Sequence, residues 1–416
     1  MSFVRLAIVL LFVGYSGRCW SQTVPDLPDR YRTDAAGARA QPVFDPLGVR
    51  LGSFLARADG DIEIGVNSNL FGRSTDVLAD RFVRISPSLR VNSDWGRHSI
   101  ELSAGGDLTR YASIVSQNSS DHRARAAGLI EIGDRLAIRP TLDYAREAEA
   151  RGTAGNRLTV GDPVYGRRLS TSLAARLEGG LFSTELVLAY RRETYEPVRI
   201  DDALVSLRSR DSRGIGGRLT LLHRYSSAIS ALVQVVADDT RNPHPEFCCS
   251  RNSSGHAMLG GVRFDNSGLI AGQFAAGYRH RSFAAGGSSQ GVTYDARIQW
   301  YPTALVTVGL TADQQYRNSG IAAANAVLVS KQSVTVAYEM YRDLNFNLQF
   351  GREASRYREV DANTLLKSIS LRATYTSRRL LQLTAFAQYA VSDTSRPTLA
   401  SGYNAKRIGL SVRVRI

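Results

Sequence analysis

The chain has 416 residues and a formal net charge of +14, with 43% hydrophobic and 22% charged residues. Its length alone would suggest two or three ordinary domains. The 36 Gly and 12 Pro residues exclude collagen-like and Pro-rich disordered chains. Three cysteines are too few for a disulfide framework or a zinc module. No run of about 18 consecutive apolar residues exists, which excludes a helical polytopic membrane protein.

The basic residues are almost all arginine. Lys occurs only at Lys331, Lys367 and Lys406, so 52 basic residues minus 3 leaves 49 Arg. These Arg residues are spread singly between apolar residues, whereas a nucleic-acid-binding tail concentrates charge in blocks. We therefore expect no nucleic-acid partner. A GC-rich genome would explain the excess of Arg over Lys equally well.

The first residues in the chain have the pattern of an export signal. Arg5 supplies the positive region, and an apolar core of eight residues follows at 6–13, too short to span a bilayer as a helix. We predict a signal peptide over residues 1–21, cleaved after Ser21. Cys19 raises a lipoprotein alternative, but Arg18 stands where a small residue is required. Residues 22–50, which contain four prolines, are predicted to form a flexible periplasmic segment.

From residue 51 to the end, apolar and polar residues alternate with a period of two, which indicates β-strands. In the last segment Ile408, Leu410 and Val412 share one face, and Arg413 and Arg415 share the other. A soluble β-sandwich shows the same alternation. Further examples are the segments 83–91, 292–300, 344–350 and 381–389.

Segment length and the rhythm of connections favour a membrane barrel over a sandwich. The segments run about 10–15 residues, enough to cross a membrane at a tilt. Aromatic residues gather at the segment ends, the chain ends within a strand, and short turns alternate with longer polar loops, as in outer-membrane barrels. The turns are predicted near 94–96, 133–134, 178–180, 225–227, 265–268, 301–302, 341–343 and 376–378. The loops are predicted at 69–79, 112–120, 149–163, 195–205, 238–253, 283–290, 317–325, 357–363 and 392–402.

These observations predict an all-β fold, a transmembrane antiparallel up-and-down β-barrel of about 18 strands (16–18) over residues 51–416. The turns are expected on the periplasmic side and the longer loops outside. A barrel of this size encloses a water-filled lumen. Alternation assigns the following residues to the pore lining: Arg84, Arg90, Arg139, Asp143, Glu185, Asp295, Arg297, Gln299, Asn345, Asn347, Gln349, Arg372, Gln382, Gln388, Arg413 and Arg415.

The predicted lumen is polar and basic, and rings of Arg favour anions. Acids near these Arg residues, such as Asp295 beside Arg297, indicate that much of the charge is locally neutralised. No nucleophile–His pair, HExxH or phosphate-binding loop is present, so we predict neither an enzyme nor a cofactor. His244, Cys248, Cys249 and His256 are close in sequence, but adjacent cysteines rarely share one tetrahedral zinc site, so no metal site is predicted.

The sequences Phe-Asp-Pro-Leu-Gly at 44–48 and Asn-Leu-Phe at 69–71 stand at the start of the predicted barrel. They resemble the opening of the outer-membrane β-barrel porin 2 family, which is found with bacterial exopolysaccharide export systems. In that family a (Y/F)-D-P-x-G box precedes the first strand, and here Phe44-Asp45-Pro46-Leu47-Gly48 matches it. An Asn-x-Phe element at the first outer loop corresponds to Asn69-Leu70-Phe71. The chain departs from the pattern at Ala58-Asp59-Gly60, where a more apolar strand is expected. It also ends in Ile416 instead of the aromatic residue that aids barrel assembly.

The resemblance implies an outer-membrane location and a role in polysaccharide passage, and it carries over no catalytic residues. The expected partners are outer-membrane lipid and lipopolysaccharide, the barrel-assembly machinery and polysaccharide-export components. The leading hypothesis is a passive channel for exopolysaccharide or other polar or anionic solutes. The alternatives are a structural or adhesin-like barrel with a closed lumen and, third, a barrel enzyme acting on envelope lipid or polysaccharide.

Overall fold

The computed structural model describes residues 36, 45–154, 156, 158–244, 251–266, 268–317, 319–320, 324–399 and 401–416. The predicted signal peptide, most of the segment 22–50, Phe44 and the pair Cys248-Cys249 lie outside these residues. Within the described part of the chain, no helix has both the length and the apolar character needed to cross a membrane.

Eighteen long strands form one antiparallel sheet, in which each strand pairs with its neighbours in sequence. The last strand pairs with the first, residues Arg407–Arg415 against Asp59–Asn67, so the sheet closes. The prediction of an up-and-down barrel of about 18 strands is thereby confirmed. The strands are β1 (Phe54–Asn67), β2 (Asp80–Ser93), β3 (Ser99–Tyr111), β4 (Ser119–Ile132), β5 (Leu136–Ala148), β6 (Tyr165–Glu178), β7 (Phe182–Tyr195), β8 (Ser212–Arg224), β9 (Ile229–Arg241), β10 (Ser253–Asn266), β11 (Ile270–Phe283), β12 (Ser288–Thr303), β13 (Val306–Arg317), β14 (Val327–Tyr341), β15 (Leu344–Tyr357), β16 (Asn363–Ser377), β17 (Leu381–Thr394) and β18 (Tyr403–Arg415).

Alternation along each strand separates an apolar outward face from a polar inward face. In β18, Ile408, Leu410 and Val412 are 47%, 55% and 43% exposed, while Ser411 between them is buried at 6%. A broad exposed apolar surface is unfavourable in water and is the lipid-facing side of a membrane barrel. The inward face is therefore the wall of a lumen.

The two ends of the barrel differ in the length of their connections. Tight turns join the strands at one end, called the turn end, and longer segments join them at the other, called the loop end. The longest loops are 149–164 and 196–211, and the second contains a small hairpin of Val198–Ile200 with Ala203–Val205. The loop predicted at 195–205 is thus longer than expected, and the one predicted at 283–290 shrinks to 284–287.

The turn predicted at Tyr301-Pro302 is wrong. Strand β12 continues to Thr303, and a register shift between Trp300 and Thr303 accommodates the extra residues. Pro302 lies within this irregularity, where a residue without a backbone N–H is tolerated. The turn itself follows at residues 304–305.

A three-residue strand, Val49–Leu51, precedes the barrel and folds back along β1. Its pairs are Val49 with Ala56 and Leu51 with Phe54. On the same edge of β1, strand β18 pairs only with residues Asp59–Asn67. Ile416 adds backbone hydrogen bonds to Ala58. The short strand therefore covers the part of the β1 edge that β18 does not reach.

Two adjacent glycines in β10 test how tightly the wall is packed. A Cβ atom on Gly261 would lie 2.0 Å from the carbonyl oxygen of Phe274, whereas a Cβ on Gly260 would meet no atom within 4 Å. We expect Gly261→Ala to lower the free energy of unfolding by about 1–3 kcal/mol, because the added methyl group forces β10 away from β11. Gly260→Ala is the matched control. Urea unfolding in lipid vesicles measures both, and equal values for the two variants would contradict the close approach.

Candidate functional site

The inward face encloses an open space in the middle of the barrel. One cavity of about 1180 Å³ lies against the inward residues of β1–β6 and β12–β18, and a second of about 750 Å³ lies nearer the loop end. The two share Arg84, Asp107, Arg123 and Arg372 in their linings, so they form one continuous space. The lumen is thus hydrophilic along this path.

Acidic and basic side chains nearly balance around the larger cavity. Its inward lining positions carry eight carboxylates and nine basic groups. The carboxylates are Asp59, Asp61, Glu63, Asp107, Asp143, Glu147, Asp313 and Glu353, and the basic groups are Arg84, Arg90, Arg123, Arg125, Arg168, Arg297, Lys331, Arg372 and Arg413. This wall therefore has a small local net charge although the whole chain is strongly basic.

Neighbouring strands pair these charges directly. The guanidinium of Arg125 lies 2.9 Å from the carboxylate of Asp143, and Arg413 lies 3.0 Å from Asp61. On the opposite side the ammonium of Lys331 lies 2.6 Å from Glu353. Because the partners come from different strands, the register of the sheet decides which charges neutralise one another.

Half of the side chains predicted to face the lumen lie at the two cavities. Seven of them line the larger cavity, namely Arg84, Arg90, Asp143, Arg297, Gln349, Arg372 and Arg413. Gln388 lines the second. Six others lie on the part of their strands nearest the turn end, outside the two cavities: Arg139, Gln299, Asn345, Asn347, Gln382 and Arg415.

The remaining two, Glu185 and Asp295, belong to a buried network on the side formed by β7–β12. Arg263 donates to both carboxylate oxygens of Glu185 at 3.2 Å and to Gln273 at 3.1 Å. Gln273 in turn donates to Asp295 at 3.3 Å. Gln273 is 1% exposed and Glu185 4% exposed, so this side of the interior is filled by side chains.

Several lining residues were not identified from the sequence. Asp61 and Glu63 were missed because alternation is hard to see across Ala58-Asp59-Gly60, although Ile62 and Ile64 mark the opposite face. Lys331 and Glu353 were also missed. Extending the alternation of 344–350 by two steps would have placed Glu353 on the inward face.

The loop 149–164, which joins β5 to β6, folds into the mouth of the barrel. Ala154 is 3% exposed and packs in a cluster with Val327, Val329 and Tyr357, which belong to β14 and β15. The carbonyl oxygen of Ala154 accepts hydrogen bonds from the Gly320 backbone at 3.1 Å and from the Tyr357 hydroxyl at 3.4 Å. Since β5 and β14 lie nine strands apart in an 18-strand barrel, the loop spans the opening.

Arg151 holds the base of this loop. Its guanidinium donates to the side-chain oxygen of Gln117 at 2.8 Å and to the carbonyl oxygens of Leu158 and Val160 at 3.0 Å. Burial, with a further contribution from the charge of Arg73, lowers the pKa of Arg151 to about 10. Arg151 therefore stays charged at neutral pH and keeps these bonds.

A second contact anchors the loop to the next long connection. The guanidinium of Arg210, within the short helix Arg208–Arg210, donates to both oxygens of Glu149 at 2.8 Å. The same group lies over the ring of Tyr195, 3.9 Å from its centroid. Both hydrogen bonds come from one nitrogen, Nη2, and the planar guanidinium stacks on the ring at the same time, which the compact ammonium of lysine does not do.

The histidines do not assemble into a metal centre in the described part of the chain, where no group of three or more His, Cys, Asp or Glu could hold an ion. The imidazole of His244 lies 3.7 Å from Asp211. His256 instead stacks beside His280 at 5.4 Å, on adjacent strands. Cys248 and Cys249 lie outside the described residues.

Comparison with known proteins gives one family and several barrels of solved structure. The family model described as "Putative beta-barrel porin 2" matches residues 41–416. Structural similarity to "Bacterial polysaccharide outer membrane secretin" covers 87% of this chain and 98% of the other, with 8% identity and a TM-score of 0.36. Similarity to the outer membrane protein opdK from Pseudomonas aeruginosa covers 87% of this chain and 99% of the other, with 12% identity and a TM-score of 0.45. Similarity to the ferric citrate transporter FecA covers 90% of this chain and 64% of the other, with 11% identity and a TM-score of 0.46. No curated protein matches.

Proposed function

Since the chain belongs to the β-barrel porin 2 family and is a porin-like outer-membrane barrel, we propose that its lumen is a passive channel for exopolysaccharide. The observation that carries this proposal is the continuous polar cavity whose charged groups are paired along the wall. A wall of paired ions and amides offers hydrogen bonds to hydroxyl groups without holding a strongly charged solute. Neutral or weakly anionic polysaccharide fits such a wall.

In this proposal the predicted lining residues at the two cavities and at the turn end form one conduction path. Asn345, Asn347 and Gln382 lie on strand segments at the turn end. They would meet the polymer first if it enters from the periplasm. Export through a cleaved signal peptide, insertion by the barrel-assembly machinery and contact with polysaccharide-export components belong to the same proposal. So does the absence of enzymatic activity.

Planar-bilayer recording of the refolded chain tests the channel. We expect discrete current steps, and transient block of those steps when a neutral exopolysaccharide is added on the periplasmic side. A barrel that inserts into the bilayer but passes no current contradicts an open pore. Current without block by any polysaccharide leaves a pore for small solutes and contradicts the substrate class.

The near-balance of lumen charge predicts weak ion selectivity. Replacing Arg125 by Glu places a second carboxylate beside Asp143, 2.9 Å from the present guanidinium. We expect this variant to become cation-selective, measured as a shift of the reversal potential in a salt gradient. Arg97→Glu, on an exposed turn-end connection where Arg97 is 56% exposed, is the control and should shift it less. Equal shifts would show that surface charge, not the lumen, sets selectivity.

One observation favours a second function, that of a structural barrel with a closed lumen. Loop 149–164 crosses the mouth and packs on the opposite wall through Ala154. A barrel sealed in this way would act through its loops. The conductance of a variant with this loop released, described in the Discussion, separates the two functions.

A further inference from the structure

Arginines on the outward face form a row across three strands at the loop end. Arg192 on β7 lies directly opposite Arg213 on β8, which lies directly opposite Arg241 on β9. All three are exposed. Side chains directly opposite each other in an antiparallel pair have Cβ atoms about 5 Å apart, and like charges there repel.

The row lies at the boundary of the apolar belt. One outward position nearer the turn end, Tyr190 pairs with Ile215, and the next such rows contain Leu188 and Leu219. Outward positions at the turn end carry no Lys or Arg in any described strand. The outward basic residues are therefore confined to the loop end, which in outer-membrane barrels faces the cell exterior.

A second row has the same position on another side of the barrel. Arg352 on β15 lies opposite Lys367 on β16, and both are exposed. One outward position nearer the turn end lie Phe350 and Ile369, which are also paired. The only acidic group within 4 Å of Lys367 among the described residues is Asp393, at 3.9 Å. We call the Arg192–Arg213–Arg241 row and the Arg352–Lys367 row the outer cationic rows.

A neighbouring pair shows how the fold neutralises such a row elsewhere. Arg146 and Arg167 are also directly opposite on β5 and β6. The carboxylate of Glu196 lies 2.7 Å from Arg146 and 2.8 Å from Arg167. In the three-arginine row only Arg241 has an acidic partner among the described residues, Asp239 at 2.8 Å. Among the described residues no carboxylate lies within 4 Å of Arg192 or Arg213, and Asp211 interacts with the charge of Arg192 only at longer range.

We propose that the outer cationic rows bind the phosphate groups of lipopolysaccharide in the outer leaflet. The rows lie at the level where the lipid head groups meet the apolar belt, and guanidinium groups match phosphate oxygens in a bidentate geometry. A phosphate between Arg192 and Arg213 removes the repulsion that the bare row carries. The site is on the outside of the wall, so it does not depend on whether the lumen conducts.

The test compares Arg213→Gln with Arg167→Gln, two single substitutions of outward arginines at the same end of the barrel. The full chain is held in uncharged detergent at low salt, and its unfolding temperature is read from the shift in gel mobility on heating. Lipid A with both phosphates, or lipid A stripped of them, is then added. Binding to the folded state stabilises it by RT ln(1 + [L]/Kd), so at one lipid concentration the variant with the higher affinity gains the larger rise in unfolding temperature.

Without lipid, Arg213→Gln should unfold at a higher temperature than the parent chain, because it removes a like charge from the row. With phosphorylated lipid A the order should reverse. The affinity of Arg213→Gln should fall about fivefold and that of Arg167→Gln should change little. Equal stabilisation by lipid A with and without phosphates, or equal weakening in both variants, would overturn the proposal.

Discussion

Ala154→Asp is expected to raise the single-channel conductance of the barrel severalfold. Ala154 is 3% exposed within a cluster that includes Val327 and Val329, both fully buried. A carboxylate in that apolar cluster loses its hydration without gaining a partner, and an uncompensated buried charge costs about 3–5 kcal/mol. The loop 149–164 should then leave the mouth, and planar-bilayer recording measures the larger current.

The matched control for this variant is Leu204→Asp, in the hairpin of the other long loop, where Leu204 is 72% exposed. It introduces the same charge at the same end without disturbing a buried contact, and its conductance should equal that of the parent chain. Protease cleavage within 149–164 confirms release of the loop. Release without any rise in current would show that this loop does not limit conduction, and a lumen silent before and after release would favour the structural barrel.

Glu185→Ala should lower the free energy of unfolding by about 3–5 kcal/mol, because it leaves the guanidinium of Arg263 buried without its main partner. The side chain of Arg263 is 13% exposed and that of Glu185 5% exposed. Urea titration in lipid vesicles, followed by the mobility of the folded barrel on a gel, measures the change. The double variant Glu185→Leu with Arg263→Met removes both charges and should recover most of the loss.

The control for this loss is an ion pair of similar chemistry on the surface. Arg50 and Asp94 are 63% and 60% exposed, and exposed pairs contribute less than about 1 kcal/mol. Asp94→Ala should therefore change stability little. If Glu185→Ala and Asp94→Ala lower the free energy of unfolding equally, the buried network on the β7–β12 side does not stabilise the barrel.

The barrel itself could be predicted from the sequence because its signal is local. In β18 the residues Ile408, Leu410 and Val412 alternate with polar neighbours, and such a pattern requires only that one face meets lipid and the other water. The same pattern repeated between turns gave the strand number and the membrane class. The predicted end of β12 was wrong at Pro302, because a register shift extends this strand to Thr303.

The arrangement inside the lumen could not be predicted, because it depends on contacts between strands distant in sequence. The partner of Arg125 is Asp143 because β4 and β5 meet in one particular register. The bridge from Arg263 to Glu185 connects strands β10 and β7, which are not neighbours. The inward fold of loop 149–164 rests on Ala154, and a single alanine in a loop carries no pattern that predicts burial.

The short strand Val49–Leu51, which pairs with β1, affects how the edge of β1 becomes fully paired during barrel assembly. Strand β18 pairs with β1 from Asp59 to Asn67, and the short strand pairs with β1 from Phe54 to Ala56. The backbone of β1 is therefore covered by two separate segments, Val49–Leu51 and β18. If β18 pairs with β1 before Val49–Leu51 does, the backbone N–H and C=O groups of β1 from Phe54 to Ala56 stay unpaired on that edge. An unpaired strand edge is a site where a second polypeptide attaches by strand addition.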